Sequence, residues 1–359
     1  MPAREQSAPW RLTPGLSGHS GVLDAKGSES RRLLRVRRLT GRGLASVLAL
    51  ALAACGGRST SEGGAATPGP SCRAGAPGAD KHCGASGDVD CCGWSEIPGG
   101  TFNRLNNLKL PATVSPFKLD LLEVTVGRFR AFVDAYPASR PQPGDGKNPH
   151  VPGSGWRSEW DARLPPTRAD LMKKLHADIG NVPCPIWTDH PGANETVPIE
   201  CVTWYEAFAF CAWDGGRLPT VAEWDLAAAG GTEQRTNPWG NHPYDPSRAV
   251  YYHDGAAGDR LAVAGSRPAG AARWGQLDMG GSRLEWVFDT SWIVVKNVSD
   301  LWVLSPTCSD CAEMSHPDTR LLMDLSYHQA EYSVVERIYY DDSENSWQTG
   351  NGIRCVYSR

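Results

Sequence analysis

The stretch "GGRLPTVAEWDLAAAGG", residues 215–231, constrains the fold more than any other part of the chain. Glycine pairs bracket it, and Thr220 and Glu223 stand in the T-x-x-E spacing of a capping box. In that device the threonine hydroxyl accepts from the N–H three residues on, and the glutamate reaches back to the threonine N–H. Such a cap contributes about 1 kcal/mol. Trp224 and Leu226 to Ala229 then face inward, and the glycines at 230 and 231 stop the helix. The stretch is structural: it contains no nucleophile and no metal cluster.

Its neighbours read in the same local way. "TVGRFRAFVDAY" is an amphipathic helix with Thr125 as N-cap and Phe129, Phe132 and Val133 inward. A second helix is expected near 167–177, with Leu171 and Leu175 on one face, and a third over 203–216, stopped by Gly215 and Gly216. "SEIPGGTFNRL" and "ATVSPFKLDLLEVT" read as strands. The 359 residues include 39 Gly, 27 Pro and 14 Trp against 7 Phe and 5 Met, which suits an irregular, loop-dominated fold better than a helical bundle. Trp156, Trp160, Trp187, Trp239, Trp274 and Trp302 fall in expected loops; one or two are expected at a surface groove and the rest in packing.

The net charge of −4 is unevenly spread: residues 1–54 hold nine Lys/Arg and three Asp/Glu, a net of +6, leaving −10 on the remainder. An acidic body argues against nucleic acid as a partner, since phosphate needs a basic surface. The basic head has its own cause. Arg31, Arg32, Arg35, Arg37, Arg38 and Arg42 precede "GLASVLALALAAC", an apolar run with the length of a signal-peptide core. Its "LAAC" ending looks like a bacterial lipobox with Cys55 as the lipidated residue, and "SRRLLR" loosely resembles a twin-arginine signal. Residues 1–54 are therefore read as a lipoprotein-type signal region, 55–93 as a flexible tether and Cys-rich segment, and 94–359 as one domain. The expected location is the bacterial cell envelope, in the periplasm or at the outer membrane, held by a lipid anchor.

Of eleven cysteines, setting Cys55 aside leaves ten, an even number in a compartment that permits disulfides. Cys72, Cys83, Cys91 and Cys92 cluster after the tether, with their pairing open. Cys308 and Cys311, in "CSDC" with His316 downstream, could be half of a zinc site, but no second CxxC completes it and disulfides are the preferred reading.

Taken together, "EIPGGTF", "LDLLEVTVGRFRAFV", "VTWYEAFAFCAWDGGRLPTVAEWDLAAAGG", "NPWGN", "DMGGSRLEWVFD" and the terminal "GIRC" resemble the formylglycine-generating enzyme (sulfatase-modifying factor) family over about residues 95–359. The resemblance implies a single irregular α+β domain with a C-type-lectin-like core and little regular secondary structure. It also implies a disulfide from Cys211 to Cys355. Active relatives oxidise a sulfatase cysteine to formylglycine with O2 and Cu(I) held by two cysteines, a soft ligand pair that other side chains cannot replace. Those two positions fall here on Gln329 and Val334, and no cysteine lies between Cys311 and Cys355. A second departure is Ser282, where the family has an Asn that, with a Glu matching Glu285, binds calcium; the pair remains a weakened Ca2+ candidate. The acidic run "YYDDSEN" reads as a solvated loop. No upstream H-x-x-x-H pair supports the iron-dependent branch of the family.

The expectation is thus a non-catalytic module binding an extracytoplasmic protein, peptide or glycan, with no confident cofactor. The alternatives are a formylglycine-generating oxidase acting on sulfatase cysteines and a structural envelope lipoprotein. The candidate groove comprises Ser326, Tyr327, His328 and Gln329, with Asp341 and Asp342 at its rim.

Overall fold

A computed structural model describes residues 69–79, 81–176, 184–250, 261–290, 305–314, 319–324, 338–341 and 350–358. Among them the strands are β1 His82–Cys83, β2 Val89–Asp90, β3 Trp94–Ile97, β4 Gly100–Asn103, β5 Pro111–Val114 and β6 Phe117–Asp120. They continue with β7 Leu284–Trp286, β8 Cys308–Ser309, β9 Arg320–Met323, β10 Ile338–Asp341, β11 Asn351–Gly352 and β12 Val356–Tyr357. The α-helices are α1 Val126–Asp134, α2 Arg168–Leu175, α3 Trp204–Trp213 and α4 Val221–Ala229. This is the irregular α+β architecture expected, with short strands in small sheets ordered β1-β2, β10-β9-β7-β11, β12-β6-β3 and β4-β5-β8. Two pairings are parallel, β5 with β8 and β7 with β11, so distant parts of the chain close each of those sheets.

The helix of the opening stretch forms as its residues dictate. Thr220 Oγ1 accepts from the Glu223 N–H, the Glu223 carboxylate accepts from the Thr220 N–H, and Gly230 ends the helix at φ 67°. All nine residues of α4 are buried, not one face alone. Burying Glu223 requires a counter-charge, and Arg217 supplies it through two bonds of 2.7 and 2.6 Å. α3 carries a second capping box, Thr203 with Glu206. In α1 Thr125 caps through the Arg128 N–H, and Phe129, Phe132 and Val133 are fully buried. Leu171 and Leu175 point α2 inward as expected.

Two large apolar clusters stand out among the described residues. One gathers the aromatic faces of α1 and α3 with Trp156, Trp160 and Trp286. The other packs α4 against β3 to β6 and β9. Trp156, Trp160, Trp187 and Trp239 belong to the interior; Trp302 lies outside the described residues. The disulfide Cys211–Cys355 forms, tying the end of α3 to the approach to β12 across 144 residues. The four N-terminal cysteines pair as Cys72–Cys92 and Cys83–Cys91. That segment packs onto the body: Cys83 and Cys91 share a cluster with Leu122 and Leu277, and the Ser71 N–H and Oγ both donate to Asp214 at 2.8 Å.

Candidate functional site

The family's reactive segment follows β9. Ser326, Tyr327, His328, Gln329, Val334 and Asp342 lie outside the described residues, as do Cys55 and His316. Asp341 ends β10, its backbone in register with Arg320. Arg320 of β9 belongs to a small recess among the described residues. Trp160, Trp204 and Phe288 line a recess of only about 40 Å3, scarcely more than one water molecule. Arg320 fills the rest: its guanidinium lies 4.0 Å over the Trp204 ring and donates to Tyr205 Oη at 3.3 Å. Trp160 meets Trp204 edge-on at 5.3 Å. A desolvated cation over indole is a favourable contact, so the arginine serves as packing.

One wall of the recess, at Met314, is built by a short hydrogen-bond ladder. The Thr290 N–H donates to Glu313 O at 2.8 Å, and the Glu313 N–H donates to Asp289 Oδ1 at 2.9 Å. Asp289 Oδ2 accepts from the Val221 N–H at 2.8 Å, which joins this wall to the first turn of α4. Burial raises the Asp289 carboxyl to about 7, against the two N–H groups that favour its charged form.

The calcium candidate does not fit its surroundings. The Glu285 carboxylate accepts from Arg354 Nε and Nη2 at 2.7 to 3.0 Å and from Trp224 Nε1 at 2.6 Å. Ser282 Oγ donates to Glu123 at 2.8 Å. A guanidinium already neutralises the carboxylate that a calcium ion would need, and calcium wants six or more oxygens. Among the described residues no three metal-ligating side chains come together. The preferred disulfide reading holds for the CSDC pair: Cys308 and Cys311 are bonded to each other, so in this form neither is a thiolate ligand.

The larger opening lies elsewhere, a cleft of about 800 Å3 between the N-terminal disulfide segment, β6 and the end of α3. Its floor holds one cation between two carboxylates. Arg128 is buried against Asp120 at 3.1 Å and Asp214 at 2.9 Å, and it donates to Tyr357 Oη at 2.8 Å. Burial pushes the Tyr357 hydroxyl well above its usual range, so it stays a neutral phenol. The lining is cationic, with Arg73, Lys81 and Lys118 against Asp90 and with His82 beside them. Lys118 Nζ lies 4.2 Å over the ring of Trp94, which is 41 % exposed. An exposed indole among cations suits a ligand that pairs an anionic group with a flat apolar face. Sequence reasoning passed over this site: Trp94 marked only the start of the domain, and the pairing of β3 with β6 sets Lys118 near it.

The model of the sulfatase-modifying factor enzyme 1-like domain matches residues 88–358. Among curated proteins the chain is 29 % identical over 194 residues to an inactive C-alpha-formylglycine-generating enzyme 2 of Mus musculus, covering 50 % of this chain and 59 % of that protein. It is 42 % identical over 207 residues to a hercynine oxygenase of Mycolicibacterium smegmatis, covering 53 % and 44 %. The chain thus spans about half the length of these relatives. Among solved structures it is similar to PvdO from Pseudomonas aeruginosa, at 17 % identity and a TM-score of 0.48, over 74 % of this chain and 94 % of that one. With three quarters of its length matched by the family model, the chain belongs to the sulfatase-modifying factor family.

Proposed function

We propose that this chain is a non-catalytic, ligand-binding member of its family. One observation carries the reading: Cys72, Cys83, Cys91, Cys92, Cys184, Cys201, Cys211, Cys308, Cys311 and Cys355 are all in disulfides. No thiol of the domain is left to hold Cu(I), which agrees with Gln329 and Val334 at the family's two positions. The ligand class is an anionic peptide or glycan taken at the cationic cleft beside Trp94. The likeness to a protein named inactive supports this reading, and the hercynine oxygenase activity is not carried over.

The same reading places the protein at the bacterial cell envelope, anchored through Cys55. The arginine-rich head before the apolar run at 43–55 supports export, as does a domain dense in disulfides. Among the described residues no helix is long and apolar enough to cross a membrane.

The test is oxygen consumption with Cu(I) and a cysteine-containing sulfatase peptide. No peptide-dependent uptake and an unchanged peptide mass are expected. Copper-dependent uptake with a mass loss at the peptide's cysteine would overturn the proposal.

A further inference from the structure

The bridge between Cys308 and Cys311 differs from the other four in what it can do for the fold. It closes three residues of sequence separation, against 8, 17, 20 and 144 for the rest. A cross-link stabilises chiefly by removing loop freedom from the unfolded chain, so the shortest loop contributes least. Stapling therefore does not explain it.

Its surroundings fit another role. Contacts other than the bond also fix the turn. β8 pairs with β5, the Asp310 N–H donates to Thr113 O at 2.9 Å, and Ser115 Oγ donates to the Asp310 carboxylate at 2.7 Å. Each sulfur also faces a donor. Cys308 Sγ accepts from the Cys311 N–H at 3.4 Å, and Arg104 Nη1 lies 3.9 Å from Cys311 Sγ. Arg104 is buried, and among the described residues no carboxylate is within ion-pair distance of it. Its Nε has no hydrogen-bond partner among them either. A buried cation without a paired anion is costly. A neutral disulfide sulfur compensates it poorly, whereas a thiolate would compensate it well.

We infer that Cys308–Cys311 is a thiol–disulfide exchange site, with Arg104 placed to hold the Cys311 thiolate of its reduced form. This goes beyond the binding role proposed above and does not depend on it. The co-reactant is a thiol. A thiolate attacks the half-buried Cys311 sulfur, the bond to Cys308 breaks, and Cys308 leaves as a thiolate against the Cys311 N–H. A second thiolate attacks the sulfur of the first, forming the reductant's disulfide and releasing Cys311 as a thiolate beside Arg104. Two electrons enter the bridge. Of the two thiol protons, one goes to Cys308 and the other to solvent. The charged groups bearing on this turn are Arg104 and, acting on it, Asp289, Asp225 and Glu313, with Asp310 and His150 on the outer side. A reduced form stabilised in this way makes the bridge the more oxidising one.

The test equilibrates the folded full chain with mixtures of reduced and oxidised glutathione, then maps alkylated cysteines by mass spectrometry. Cys308 and Cys311 are expected to open reversibly while the other four bridges stay closed. Arg104→Met is expected to disfavour the reduced form about tenfold, and Arg104→Lys to restore most of it. Bridges that all stay closed until denaturant is added, or that all open together, would overturn the inference; so would an Arg104→Met variant that folds and titrates as the parent does. Should Arg104→Met not fold, the parent decides. Alkylation of reduced Cys311 is expected to reach half its limiting rate below the ordinary thiol value of about 8.5, and a midpoint at or above that value refutes the role given to Arg104.

Discussion

Replacing Arg354 with methionine is expected to destabilise the fold by about 3–5 kcal/mol, the usual cost of breaking a buried ion pair from one side. Arg354 is fully buried, and its guanidinium reaches three parts of the chain at once. It binds Glu285 on β7 through two nitrogens, donates to Asp120 O at the end of β6 at 3.0 Å, and donates to Leu277 O at 2.8 Å. Methionine fills much of the same volume but strands the Glu285 carboxylate with, among the described residues, only Trp224 Nε1 as side-chain donor. The diagnostic comparison is the double variant Arg354→Met with Glu285→Gln, measured by urea denaturation. The neutral amide keeps an acceptor for Trp224, so the double variant is expected to recover most of the loss. A double variant as unstable as Arg354→Met alone would mean that the backbone bonds to Asp120 and Leu277, not the stranded charge, carry the effect.

The second large effect concerns Cys211–Cys355. In the chain-entropy picture, a loop of this length is worth about 5 kcal/mol in the unfolded state, and the bridge spans 144 residues. Both cysteines are fully buried, so Cys211→Ser with Cys355→Ser also buries two hydroxyls in an apolar cluster. The double serine variant is expected to lose cooperative thermal unfolding or to melt far below the parent. The double alanine variant removes the bridge without the buried hydroxyls and is expected to retain part of the difference. A serine variant melting within a few degrees of the parent would show that the ends of this chain are held by the sheet β12-β6-β3 alone.

What could be read from the sequence was local. Thr220, Glu223 and Gly230 act within one helix of each other, and their spacing alone carries the cap, as Thr125 does for α1. Burial of α4 on every side was not legible, because it depends on Arg217, Asp289 and the strands that close around the helix. The pairing of Cys211 with Cys355 came from the family resemblance, and the pairings among Cys72, Cys83, Cys91 and Cys92 stayed open, since connectivity is not a local property.

The calcium candidate failed for a related reason. Ser282 and Glu285 keep a family spacing, but Arg354 enters from 69 residues away and occupies the carboxylate. The cationic cleft was invisible because its residues come from four separated stretches, brought together by the packing of the Cys-rich segment on the body. Of the tryptophans read in loops, Trp160 lines a small recess beside β9, and in the fold Arg320 occupies it.

The central claim is that the domain, with its five bridges closed, keeps no thiol pair for Cu(I). Its most direct test is alkylation of the protein in denaturant without reductant, followed by peptide mapping of residues 72–355. The account predicts ten unmodified cysteines in the five pairings Cys72–Cys92, Cys83–Cys91, Cys184–Cys201, Cys211–Cys355 and Cys308–Cys311. Two cysteines of this range found alkylated in the isolated protein would contradict it.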